Sequence, residues 1–319
     1  MILIAGSANL DFVVQAPHIP MPGETVLGHS FQNFPGGKGA NQAVACARAG
    51  NVATQFLGAF GNDTLAQPLL DSLRSAGVQV HAIRRPESPT GTAFICVDAH
   101  GENAITVVPG ANALLEPQHL PPLAGVSHLL LQLETPLATL QAYAQKARAA
   151  GVKVVLNAAP AQREALAVLP DVDILIVNEG ELALLAGHEG TVSTQMQALQ
   201  VPTVITTLGA RGCIARSKEG YTLQTALPVK VVDTTAAGDT FCGALVAALA
   251  DKQQLDQALR WASAAAALAC TQAGAQSSIP AQHEIKTLLD TFTPCASALT
   301  TLAAYCGLSP AQQTSAHAA

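Results

Sequence analysis

Short apolar runs bounded by turn residues alternate along the chain with stretches whose apolar positions follow a helical period. The run MILIAG predicts a first strand, and helical spacing follows over 38–49. A strand near 52–58 and a helix near 64–76 come next, then strand 126–133, helix 136–150 and strands 152–156 and 173–177. Helix 179–186, strand 203–207, strand 227–232 and an apolar helix beginning near Asp239 complete the series. This alternation predicts an α/β fold with a mostly parallel central sheet covered by helices on both faces. Two stretches break it. Residues 11–34 and 91–108 read as short strands with turns, the second with a hairpin signal around His100, Gly101, Glu102 and Asn103. They predict a small separate β-sheet, a lid over a cleft at the carboxyl ends of the main strands.

With 49% hydrophobic and only 12% charged residues, the 319-residue chain can bury a large core. Length alone suggests about two domains, but α/β folds often run this long as one. We expect one domain over 1–293 with the lid strands inserted. The Ala-, Thr-, Ser- and Gln-rich stretch 294–319 reads as a C-terminal extension, with its last ten residues disordered. Net charge is -6 and the basic residues are scattered, so no electrostatic footprint for nucleic acid is present. The N-terminus reads as a strand, not a signal peptide, and apolar stretches 241–250 and 261–270 are too short to span a bilayer. Cys46, Cys96, Cys213, Cys242, Cys270, Cys295 and Cys306 form no C-x-x-C pair and read as reduced thiols of a cytoplasmic protein. The histidines lack zinc-site spacing, so any metal would be held by oxygen.

The stretch PGGKGAN at 35–41 places Lys38 among Gly36, Gly37 and Gly39 before a helical run. A Walker A loop is excluded, because Gln32 stands where its first glycine belongs and Gly39 where its Ser or Thr belongs. Two readings remain: a tight turn into a helix, or a ligand site in which glycine amides, Lys38 and Asn41 face a polyhydroxylated molecule. Asn9 and Asp11, just after the first strand, add polar groups where an α/β cleft lies.

The stretch DTTAAGDTF at 233–241 sets small residues at the start of an apolar helix. Successive N–H groups there can form an anion hole, with Asp239 beside it to accept a proton from an attacking hydroxyl. An ordinary acidic N-terminal turn is the other reading. NEGE at 178–181 and TLGARG at 207–212 also follow strands directly. Asn178 and Glu181 share a helical face and could hold the hydration shell of Mg²⁺ or be an exposed polar first turn, while Gly209 and Gly212 would let a nucleotide approach the backbone or merely make a turn.

Taken in order, GSANLD (6–11), PGGKGANQAV (35–44), LQLETP (131–136), NEGE, TLGARG, DTTAAGDTF and GAQSSIP (274–280) resemble the pfkB carbohydrate kinase family, and within it the ribokinase branch. The resemblance runs from residue 1 to about 290. It implies a ribokinase-like three-layer sandwich and ATP-dependent phosphorylation of the 5-hydroxyl of D-ribose. Asp239 carries over as general base, with the backbone of Ala236, Ala237 and Gly238 as anion hole. Asn9, Asp11, Gly37, Lys38, Gly39, Asn41 and Glu134 match sugar-binding positions. Asn178, Thr207, Leu208, Gly209, Ala210, Arg211, Gly212, Gly238 and Ser263 match the nucleotide site, and Glu181 the position that organises Mg²⁺ through water. An activating K⁺ is implied behind the anion hole, at Asp233 and carbonyls near Thr235, Ala269, Gln272, Gly274 and Ser278.

Two departures stand out: Ala236 where the family commonly has Gly, and Ser263 where ribokinases often carry His beside the adenine. A kinase for 2-deoxyribose, another sugar or a nucleoside is the alternative within the family, and a non-catalytic sugar-binding regulator the alternative outside it. The lid strands are expected to pair with a second subunit as a homodimer, because exposed edges and an apolar lid face are otherwise liabilities. The segment beyond 293, with Cys295 and Cys306, receives no function.

Overall fold

The computed structural model describes residues 1–293 and 295–309; the ten residues expected to be disordered, 310–319, lie outside the described residues. The first half of the chain runs β1 Ile2–Ala5, β2 Asn9–Gln15, β3 Ser30–Gly36, α1 Lys38–Gly50, β4 Thr54–Phe60, α2 Ala66–Ser75, β5 Gln79–Arg84, β6 Gly91–Val97 and β7 Asn103–Val108. Next come β8 His128–Gln132, α3 Leu137–Ala149, β9 Lys153–Asn157, β10 Ile174–Asn178, α4 Glu179–Ala186, α5 Val192–Ala198 and β11 Thr203–Thr207. The remainder is β12 Gly212–Ser217, β13 Gly220–Thr225, α6 Ala237–Ala250, α7 Leu255–Ala269, α8 Gln282–Thr291 and α9 Ala296–Tyr305.

Nine strands form the main sheet in the order β13-β12-β11-β10-β9-β8-β1-β4-β5. From β11 to β5 every neighbouring pair is parallel, and the hairpin β12–β13 adds an antiparallel edge beyond β11. In β1 all four side chains are fully buried, because the pleat sends them alternately to two cores. Leu3 and Ala5 face a core built with α3, α4, α5 and α9, whereas Ile2 and Ile4 face one built with α1, α2, α6, α7 and α8. A strand apolar at every position therefore reads as central, and the layering is the expected three-layer sandwich.

The second sheet is β3-β2-β6-β7. On one face Phe12 stacks between Phe31 and Phe94 at centroid distances of 6.0 and 5.4 Å, and Phe31 and Phe94 stay exposed.

Three local expectations are corrected. Residues 227–232 pair with no strand, although LPVKVV has strand composition; Pro228 cannot donate to a ladder, and Leu227, Pro228, Val229 and Val231 line a cleft instead. The edge position goes to the β12–β13 hairpin, which the alternation did not announce, and β5 was likewise unanticipated. Helix α6 starts at Ala237, two positions before Asp239, because Ala236 adopts a left-handed conformation (φ 57°) that turns the chain into the helix. Boundaries of β4 fall two residues later than expected.

Candidate functional site

Polar residues gather where strands of the main sheet end. Asn9 and Asp11 follow β1, Glu134 follows β8, Asn157 and Asn178 close β9 and β10, and Thr207 closes β11. Across these ends run the first turns of α1 and α6.

Those two helices pack closely because small residues face each other. A Cβ on Gly243 of α6 would lie 2.5 Å from the Ala45 side chain and from the Gln42 carbonyl oxygen of α1. The close approach sets Asn41 and Gln42 against Asp239. Asn41 Nδ2 donates to Asp239 Oδ2 and Gln42 Nε2 to Oδ1, both at 2.9 Å, so each carboxylate oxygen is held by an amide. Gln42, fully buried, accepts from Gln132 Nε2 at 2.6 Å and donates also to Asn157 Oδ1 at 3.0 Å. Sequence reasoning missed Gln42, Gln132 and Asn157. The run QAV reads only as a helix, and no spacing signals that the glutamine points into the site.

The glycines of PGGKGAN serve packing. Gly37 has φ 88°, and a Cβ there would fall 2.7 Å from the Asn9 amide nitrogen; one on Gly39 would fall 2.7 Å from that of Ser7. Only glycine lets α1 begin against the β1–β2 turn. Between them Lys38 points into the site, where the charge of Asp239 is the main influence that raises its pKa, so the ammonium stays charged. Glu134 Oε2 accepts from the Ser7 hydroxyl and from the Lys38 amide at 3.2 Å. Asn112, another residue missed from sequence, grips the β1–β2 turn. It accepts from Ala8 N at 3.1 Å and donates to Asn9 Oδ1 at 2.8 Å, which fixes the Asn9 amide. Asp11 packs over Gly36, and burial, then Glu134, then Asp239 push its carboxyl up to about 7 against the pull of Lys38. The Asn41 Oδ1 atom is buried without a hydrogen-bond partner among the described residues.

At the start of α6 the Ala237 N–H donates to the Thr234 carbonyl at 3.2 Å, and Thr240 N to Ala236 O at 2.8 Å. No acceptor among the described residues takes the N–H of Ala236, Gly238 or Asp239, so these are the open amides of the turn. Ala237 thus closes the turn instead of offering its N–H. A Cβ on Gly238 would meet nothing within 4 Å, which leaves open space before those amides.

Gly238 lies at a junction. On one side is a cleft of about 160 Å³ lined by Lys38, Asn157, Asn178, Glu181, Thr207 and Asp239, among others. On the other is a larger, mostly apolar cleft of about 470 Å³, whose walls include Thr207, Gly209, Ala210, Gly212, Phe241, Ser263 and Cys270. Ser263 sits within hydrogen-bond range of the Cys213 thiol at 3.7 Å. Two residues matched to the nucleotide site are turned elsewhere: Leu208 is buried in the core, and the Arg211 side chain reaches out to Glu179 and Tyr305.

Asn178 and Glu181 form a reciprocal cap on α4: Glu181 N donates to Asn178 Oδ1 at 2.9 Å and Asn178 N to Glu181 Oε2 at 2.7 Å. Burial raises the Glu181 carboxyl, with the Asn178 amide and Lys38 opposing. Among the described residues no cluster of three or more His, Cys, Asp or Glu could hold a metal by itself. A single carboxylate beside a cleft suits Mg²⁺, which keeps most of its water and takes phosphate oxygens.

Asp233 clasps two loops. Its Oδ1 accepts from Thr235 N and Oγ1 at 2.9 and 2.7 Å, and its Oδ2 from Gly274 N at 2.9 Å, bonds that lower its pKa against burial, the largest influence. Ala269 and Gln272 pair within the turn after α7, and the Ser278 hydroxyl donates to Ala275. Carboxylate and carbonyl oxygens of this kind suit a hard monovalent cation.

The family model of the pfkB carbohydrate kinases matches residues 1–282. The chain belongs to that family. It is 39% identical to a ribokinase of Haemophilus influenzae over 301 residues, covering 90% of this chain and 97% of the relative. Among solved structures, a ribokinase of Thermotoga maritima superposes with a TM-score of 0.84 at 37% identity, covering 91% of this chain and 99% of the other. The Arabidopsis thaliana ribokinase complexed with ribose and ATP superposes with a TM-score of 0.81 at 31% identity, covering 92% and 99%. The match to the family ends at residue 282, before α9.

Proposed function

We propose that this chain is an ATP-dependent kinase that transfers the γ-phosphoryl group to the 5-hydroxyl of D-ribose, giving ribose 5-phosphate and ADP. The observation that carries the reading is Gly238: it joins a polar cleft containing Asp239 to a larger apolar cleft, with open amides between the two. Full-length relatives named as ribokinases support the same assignment.

The sugar enters beneath the lid. Asn9, Asp11, Lys38, Glu134 and the unpartnered Asn41 Oδ1 offer donors and acceptors in the mixture a polyol requires. ATP lies across the larger cleft, its base against the apolar wall near Ser263 and its phosphates toward Gly238. The hydroxyl oxygen attacks the γ-phosphorus, the bond to the bridging β-oxygen breaks, and ADP departs. The hydroxyl proton passes to the Asp239 carboxylate, which the Asn41 and Gln42 amides hold in a fixed orientation. Gly238 and Asp239 N–H, at the positive end of α6, stabilise the charge on the transferring group, and Lys38 adds a full positive charge. Mg²⁺, organised through water by Glu181 and Asn178, would neutralise phosphate charge. K⁺, held by Asp233 and nearby carbonyls, would stiffen the 233–235 loop from which α6 begins.

Two wider features follow. The exposed apolar face of the lid supports a homodimer. The seven cysteines are all free thiols, which supports a reducing, cytoplasmic location, and no helix among the described residues is long and apolar enough to cross a membrane.

The test is ADP release from Mg²⁺-ATP with K⁺, run in parallel against D-ribose, 2-deoxyribose, fructose and adenosine. Ribose should be turned over fastest; faster turnover of another acceptor would reassign the substrate, and no turnover would favour a sugar-binding regulator. Asp239→Asn should lower kcat by about 10²- to 10⁴-fold while ribose still binds in calorimetry.

A further inference from the structure

Helix α9 lies beyond the stretch matched to the family, yet it is anchored in the fold. Leu302 and Ala303 are buried in the core, the Cys306 carbonyl accepts from Ser193 N at 3.0 Å, and the Gly307 carbonyl accepts from Ser193 Oγ at 3.2 Å. That anchoring fixes Tyr305 on the surface. Its ring lies under the Arg211 guanidinium, with Cζ 4.2 Å from the centroid, and its hydroxyl donates to Glu179 Oε1. Glu179 Oε2 faces Arg211 Nη1 at 3.8 Å. One cluster thus joins α9, the first turn of α4 and the turn Gly209–Arg211.

The turn needs an anchor. Gly209 (φ 56°) and Gly212 (φ 116°) bracket it, both in backbone regions glycine visits freely, and a Cβ on Gly209 would meet nothing within 4 Å. Backbone hydrogen bonds hold it, Arg211 N to Leu208 O at 3.2 Å and Leu208 N to Gly212 O at 2.8 Å within the turn, and Ala226 N to Arg211 O at 3.3 Å from the chain after β13. Between the two glycines stand only Ala210 and Arg211, so only the Arg211 side chain has the reach to tie the turn to α4 and α9. The half-exposed ion pair with Glu179 holds weakly in water, whereas an aromatic face at this distance positions a guanidinium with little entropy loss.

We propose that α9 is a clasp on the nucleotide turn, in which Tyr305 is a positioning residue: by fixing Arg211 it holds Gly209–Gly212 in the shape that receives ATP and ADP. The inference rests on the reading of this turn as part of the nucleotide site. A turn ordered beforehand loses less freedom when the ligand arrives, so the effect falls on nucleotide affinity and not on the sugar or the chemical step.

Full-length variants with ADP as the calorimetric probe test it. Tyr305→Leu and Arg211→Ala should each weaken ADP binding about two- to five-fold, the range an exposed cation–π contact allows. The double variant should be no weaker than the worse single one, because both remove one contact. Tyr305→Phe, which keeps the ring, should bind ADP like the parent. For Tyr305→Leu the KM for ATP should follow this change while kcat and the KM for ribose stay at parental values. Gly209→Asn, which tolerates positive φ and fills the open space, reports separately on the turn. If Gly209→Asn leaves ADP affinity unchanged, the nucleotide reading of the turn fails and the clasp with it. If Gly209→Asn weakens ADP but Tyr305→Leu does not, or Tyr305→Leu binds ADP more tightly, the clasp alone is overturned. Additive losses in the double variant would overturn it too.

Discussion

Burial, with Glu134 and Asp239 adding like charge, pushes the Asp11 carboxyl up to about 7, while Lys38 pulls the other way. In the unfolded chain the same group titrates near its ordinary value of 3.8. Its folded value is raised, so its contribution to stability is complete below the unfolded value and is lost as pH climbs through about 7. Free protein should therefore lose Tm from this group between about pH 4 and pH 7 and little more above that. Sugar hydroxyls that donate to Asp11 favour its ionised form, which reverses the sign for binding. The KM for ribose should fall about three- to ten-fold from pH 6 to pH 8, a trend that Asp11→Asn removes. A flat KM profile in the parent protein would remove Asp11 from sugar recognition. The residue itself was legible in GSANLD, but its titration was not, because the groups that perturb it come from positions 38, 134 and 239.

At the scale of elements, the site depends on how tightly α1 and α6 approach. Gly50 also abuts Ala247, with a Cβ–Cβ distance of 2.1 Å had the glycine carried one, so small residues set the approach at both ends of α1. This approach makes Gln42 a link among α1, β8, β9 and α6. Gln42→Leu leaves Gln132 and Asn157 with lost partners, which costs about 1–3 kcal/mol of stability. It also releases one side of the Asp239 carboxylate, so kcat should fall about 10- to 100-fold with little change in the ribose KM. Chemical denaturation and steady-state kinetics check the two effects; an unchanged kcat would mean that Asn41 alone orients the base. Helix α1 was legible from its spacing, and α4 matched its expected bounds because the Asn178–Glu181 cap and the left-handed Gly187 mark its two ends. The run 227–232 misled because strand composition does not say whether a partner strand lies alongside, and here the cleft takes that place.

For the whole molecule, the lid carries a consequence for assembly. Phe31 and Phe94 are 60% and 51% exposed, an apolar face that a second copy would cover. Light scattering at micromolar concentration should give twice the chain mass, and Phe94→Asp should give monomers with weaker ribose binding, since the lid that closes the cleft would lose its support. A parent protein that runs as a monomer would count against the assembly. Most of the strand and helix alternation, the lid strands with the 91–108 hairpin, and the glycine and Asp239 motifs were determined by the sequence itself, because local periodicity and the demand for small residues are written in consecutive positions. Tertiary structure alone decided that Asn41 and Gln42 hold Asp239, that Asn112 fixes Asn9, that the Ala237 amide closes its turn, and that α9 reaches Arg211. Each of these pairs residues distant in sequence, apart from the amide turn, and depends on how elements pack. The amide turn depends on a left-handed Ala236, a conformation that composition does not announce.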